Sequence, residues 1–145
     1  MIETMNEENQ ILEVINSFIL EMNNWEKYCE VIYQDKSLSL EQQLELQKIK
    51  VQHIFEKYCT KKDRLLGRPN VISWGHEGSY DYDPLNEEIS DVSFNGENQA
   101  TVSSVQKLPM EQSFKYILKK RKGSWLIDSK KRYSERKEKW EIDSL

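Results

Sequence analysis

A chain of 145 residues has the usual size of one domain and can bury a proper core; its apolar content is low at 37%, but four Trp, seven Tyr and four Phe exclude a disordered chain. A formal net charge of −4 excludes general nucleic-acid binding, which needs a basic surface to displace counterions from phosphates. No stretch approaches the roughly 18 apolar residues of a membrane span, and no basic segment followed by an apolar run opens the sequence, so a cytoplasmic protein is expected.

The first segment carries the clearest signal. Ile11, Ile15, Phe18, Met22, Trp25, Cys29 and Ile32 recur at steps of four and three, the signature of one helix face. Glu13, Glu21, Asn24, Lys27 and Glu30 fall on the other side, and the periodic stretch predicts a helix about 30 Å long. A break follows at Asp35 to Ser39. Ser39 with Gln42 three residues on reads as a capping box opening a second helix, whose apolar face is Leu40, Leu44, Val51, Ile54, Phe55 and Tyr58. Basic residues through Arg68, then Gly67 and Pro69, are expected to close it, placing the helices at about 5–66.

Beyond Pro69 the period shortens. Val71, Ile72 and Trp74 predict a short strand, and His76 to Glu88 a long loop rich in Gly, Ser, Asp and Asn. Ile89 to Phe94 then leads into Asn95-Gly96, a strong hairpin turn, with Ala100, Val102 and Val105 on the partner strand. Phe114, Tyr116 and Leu118 alternate with Lys115, Ile117 and Lys119, and Lys122-Gly123 turns the chain into a strand from Trp125. Strands and loops thus fill about 70–130, and short connections imply antiparallel order. Residues 131–145 read as a charged tail anchored by Trp140. The sum is a single α+β domain over 1–145, with long N-terminal helices on a curved, mainly antiparallel sheet shaped as a cone.

Chemistry is sparse. The sequence contains no GxxxxGK, GxGxxG, GxSxG or HExxH, so neither a catalytic set nor a cofactor is expected. Cys29 and Cys59 fall inside helical patterns as buried thiols, and His53 and His76, with no CxxC or HxxxH spacing, predict no metal. His53 is expected to be structural and His76 accessible, and Asp91 to face solvent on its strand.

Charge segregation is stronger. Between Pro69 and Gln106 lie seven acids and no Lys or Arg, whereas Lys107 to Lys139 holds twelve basic residues and four acids. Tyr80 and Tyr82 interleave with the loop acids, and tyrosine combines large contact area with a polar tip. An acidic, Tyr-bearing loop can steer a basic partner into contact. Tyr80, Asp81, Tyr82, Asp83, Glu87 and Glu88 are therefore the candidate partner-binding residues.

Two stretches carry a family resemblance. One is Phe18-Ile19-Leu20-Glu21-Met22-Asn23-Asn24-Trp25-Glu26; the other is Lys122-Gly123-Ser124-Trp125-Leu126-Ile127-Asp128-Ser129-Lys130-Lys131. With a second helix between them and a closing Trp140, the chain resembles the immunity proteins of the nuclear transport factor 2-like fold, from bacterial polymorphic toxin systems. The resemblance implies a cone-like fold, residence in the producer's cytoplasm, and neutralisation of a cognate toxin by direct binding without catalysis. An alternative is a small-molecule-binding protein, or an isomerase- or hydrolase-type enzyme, using the cone pocket with Trp25, Trp74 and Trp125 lining it. A homodimer across the open sheet face is a third reading.

Overall fold

The computed structural model describes residues 2–145, with side chains from Asn6 onward. Helix α1 (Ile2–Gln34) and helix α2 (Leu40–Tyr58) precede five strands, β1 (Glu87–Phe94), β2 (Gln99–Gln106), β3 (Gln112–Arg121), β4 (Ser124–Ser134) and β5 (Lys139–Asp143). The strands form one antiparallel sheet in the order of the chain. The α+β class and the long helices on a curled sheet are as expected.

At 33 residues α1 is about 50 Å long, well beyond the predicted 30 Å, because its polar first turns carry no apolar periodicity to read. The predicted stripe is its core face: Ile11, Ile15, Phe18, Met22, Trp25 and Cys29 are fully buried. Phe18 stands edge-on to Phe55, Tyr58 and Tyr82, with ring centroids 5.9, 6.2 and 5.3 Å away. From the sheet, Val102, Tyr116, Leu118 and Ile127 close the same core.

The capping box of α2 is present, with the Ser39 side chain accepting from the Gln42 amide and the Gln42 side chain accepting from the Ser39 amide. Its first half corrects the expected face. Leu40 and Leu44 are exposed, while Gln43 and Gln47 are buried. The glutamines donate to carbonyls near the end of α1, Gln43 to Asp35 (3.2 Å) and Gln47 to Cys29 (3.4 Å). Gln43 also reaches the Tyr33 carbonyl (3.4 Å), which lies in the last turn of α1 where intrahelical donors run out, so an amide fits this seam where a leucine would leave it unpaired.

Three more expectations are corrected. The second helix stops at Tyr58 and not near 66, because Cys59 turns extended and bridges Ile127, with the Thr60 amide donating to the Ile127 carbonyl at 2.9 Å. No strand forms at Val71–Trp74; the Val71 amide donates to the Gly67 carbonyl, Arg68 holds the Ser73 carbonyl and Glu26 the Gly75 amide that follows. The C-terminal segment is no tail. β4 runs to Ser134 and pairs with β5, where Trp140 packs against Tyr133 at 5.3 Å and Lys115 lies over its ring. With Lys130 buried and Ile142 exposed, the hairpin inverts the usual pattern and escapes a hydrophobicity reading. His53 is exposed and so not a buried structural residue, whereas Cys29 and Cys59 are buried free thiols.

Candidate functional site

The segment between α2 and β1 has little regular structure of its own, and α1 fixes it in place. Glu26, fully buried, uses both carboxylate oxygens as backbone acceptors: Oε1 takes the amides of Gly75 and Asp81 (both 2.9 Å) and Oε2 that of Tyr82 (3.1 Å). One turn earlier, Asn23 Nδ2 donates to the Tyr82 carbonyl at 2.7 Å. Between them Trp25 Nε1 donates to the Gln47 carbonyl at 2.9 Å, tying α1 to α2. The Asn-Asn-Trp-Glu stretch is thus a clamp: two side chains hold a loop and the third holds the helix pair. Burial pushes the Glu26 carboxyl above its ordinary range, and the three amides oppose that rise.

Inside the clamp the loop folds tightly on itself. A Cβ on Gly75 would lie 2.3 Å from the Ser79 carbonyl oxygen, so glycine is required by this close approach. Glu30, one turn beyond Glu26, meets His76 Nδ1 at 2.9 Å, and Trp74 packs between His76 and Tyr33. His76 is accessible as expected, with a carboxylate partner that sequence distance concealed.

The structure separates the six candidate residues. Tyr82 is wholly buried, its ring against Phe18, and points into the core. Glu87 is also inside, accepting from Ser104 Oγ and Tyr116 Oη (both 2.7 Å). Neither side chain is available to a partner in this fold. Glu88 faces outward beside Lys107 (3.4 Å). Tyr80, Asp81 and Asp83 remain together at the rim. Asp81 pairs with Arg68 at 3.0 Å, and Arg68, itself buried, also donates to the carbonyls of Ser73 (2.6 Å) and Leu145 (2.9 Å). Asp83 closes a turn by accepting from the Leu85 amide at 3.0 Å.

That turn brings in residues absent from the sequence reading. Leu85 is 98% exposed, and Asn86 exchanges hydrogen bonds with the backbone of Leu108, at 2.6 and 3.0 Å. Leu108 and Met110 are 65% and 69% exposed. The rim therefore combines three large, uncovered apolar side chains with Tyr80 and two acids, a mixture suited to a protein contact. The signal was present: a hairpin turned at Asn95-Gly96 places Glu87 opposite Gln106, and so Leu85 near Leu108.

Within the rim is a cavity of about 320 Å³ lined by Tyr80, Asp81, Phe114, Lys130, Arg132 and Asp143, among others. Trp25, Trp74 and Trp125 do not line it; Trp25 and Trp125 are core residues. Among the described residues no group of three or more His, Cys, Asp or Glu side chains is placed to hold a metal ion. No helix of the structure is long and apolar enough to cross a membrane.

Comparison with known proteins follows the same architecture. The chain is 28% identical over 136 residues to "Immunity protein RhsIA" of Dickeya dadantii (strain 3937), covering 94% of this chain and 96% of that protein. No solved structure matches. A family model described as NTF2 fold immunity protein matches residues 10–144, from the first buried turn of α1 to the end of the sheet, and the chain belongs to that family of immunity proteins.

Proposed function

We propose that this immunity protein works by binding a cognate toxin domain directly, in the cytoplasm of the producing cell and without catalysis, through the rim formed by Tyr80, Asp81, Asp83, Leu85, Leu108 and Met110. The observation that carries this reading is the uncovered apolar trio beside acids on a loop that Glu26 holds rigid. A pre-ordered loop loses little conformational freedom on binding, so more of the contact energy appears as affinity. Leucine and methionine supply apolar contact, Tyr80 a ring with a polar tip, and the acids attraction toward a basic partner.

The test uses the cognate toxin domain and surface-immobilised binding kinetics. Leu85→Ser with Met110→Ser should raise the dissociation rate by about tenfold or more, the range of a lost interface anchor. Asp83→Lys with Glu88→Lys should mainly slow association at low salt. Wild-type kinetics in both double variants, with the fold intact by circular dichroism, would refute the rim as the contact surface.

A further inference from the structure

We infer that the cone mouth is a recognition site for a single carboxylate group, held between Lys130 at its floor and Arg132 at its lip. Lys130 leaves β4 toward the concave face and is only 4% exposed. Its Nζ sits over three rings, with centroid distances of 4.2 Å to Phe114, 4.4 Å to Tyr82 and 5.2 Å to Tyr116. Ring faces attract an ammonium but accept none of its protons as an oxygen does. Among the described residues Lys130 makes neither a hydrogen bond nor an ion pair, so a buried cation with three donors is aimed into a cavity and lacks an acceptor.

The neighbouring acids do not supply one. Asp81 is engaged by Arg68 (3.0 Å) and Glu87 by Ser104 and Tyr116 (2.7 Å each), while Asp143, opposite Lys130 in β5 and lining the same cavity, is near enough to act on its charge but closes no ion pair with it. Arg132, two residues along the same strand face, lines the same cavity and has no partner among the described residues; Glu141, opposite it in β5, is taken by Lys137 at 3.0 Å. Two sets of free donors thus line one cavity, and the two oxygens of one carboxylate match them.

Charge sets the class of ligand. Arg68, Lys130 and Arg132 stand against Asp81, Glu87 and Asp143, so the site is close to balanced before anything enters. A phosphate dianion would overcharge it, whereas one carboxylate adds a single charge where both free donors point. The volume of about 320 Å³ is at the small end for ligand sites and admits a short acid or one acidic side chain.

The carboxylate can come from a free small acid or from an Asp or Glu of the toxin; only the second source rests on the rim being the contact surface. In the first arm, sodium acetate is titrated into the isolated protein while the side-chain signals of Lys130 are followed by NMR. Saturable shifts are expected, absent with sodium chloride at equal ionic strength and weakened about tenfold or more in Lys130→Met. The methionine stem packs on the same rings, and the exposed Arg132→Gln variant gives an independent reading should Lys130→Met fold poorly. In the second arm, both variants are measured against the toxin, where dissociation should quicken about tenfold while association is unchanged. Dependence on Lys130 and Arg132 in either arm supports the site and identifies the source. Dependence in neither, or tighter binding of inorganic phosphate than of acetate, overturns it.

Discussion

Replacing Glu26 with Gln tests the clamp with the least steric change. Gln can keep one carbonyl oxygen on the amides of Gly75 and Asp81, but its NH₂ then faces the Tyr82 amide, donor against donor. One bond to a charged acceptor is lost, worth about 1.5–3 kcal/mol, the other two weaken, and a buried amide is left unpaired. Against this, the variant no longer buries a charge, the cost that raises the Glu26 pKa. A net loss of about 2–4 kcal/mol is expected, read as a lower urea midpoint with an unchanged slope. Hydrogen exchange at Gly75, Asp81 and Tyr82 should accelerate by about 30-fold or more, since each 1.4 kcal/mol is a factor of ten. The pH dependence has a defined sign. Because the folded-state pKa lies above the ordinary 4.5, the contribution of Glu26 is complete below pH 4.5 and declines as pH rises through the folded value. The stability gap between wild type and variant should therefore be wider in acid than at neutral pH. An unchanged urea midpoint, or a gap that widens toward neutral pH, would refute the reasoning.

Other outcomes follow from the same packing. Arg68→Met removes three contacts of a buried guanidinium and leaves the Leu145 and Ser73 carbonyls without their donor; it should cost about 3–5 kcal/mol and expose the C-terminal strand to limited proteolysis. Tyr82→Phe deletes a buried hydroxyl that has no partner among the described residues, so thermal melting should show no loss of stability and toxin affinity should stay unchanged. Burial pushes both the Cys29 and Cys59 thiols up to about 12, and a thiol-specific reagent should modify them only as fast as the domain opens. Leu40→Gln with Leu44→Gln should shift stability by no more than about 0.5 kcal/mol per site, because both leucines already face solvent.

The elements that a periodicity reading recovers are those whose burial is carried by apolar side chains. The α1 stripe and the alternation in β3 are of this kind, while the capping box at Ser39 and the Asn95-Gly96 turn were legible as local backbone motifs. The reading fails where polar groups do the organising. Gln43 and Gln47 displaced leucines from the helix seam, Glu26 and Arg68 hold loop backbone groups next to the expected strand, and a buried Lys130 with an exposed Ile142 masked β4 and β5. At the site, an acidic, Tyr-bearing loop was legible as a run, but which side chains face outward was not. Tyr82 and Glu87 look like Tyr80 and Asp83 in sequence, and only the anchoring of the Tyr82 amide and carbonyl by α1 turns that ring inward.

The sheet has a strand order identical to the chain order, and the two helices are likewise neighbours in sequence. Every strand pairing joins segments that leave the ribosome one after the other, so closing each ladder costs little loop entropy, whereas the ties of Glu26 to Tyr82 and Arg68 to Leu145 wait for the later chain. The sheet of such a chain should form quickly once its strands are made. For a protein whose role is protection, the interval between translation and readiness is the interval of vulnerability, and a meander keeps it short.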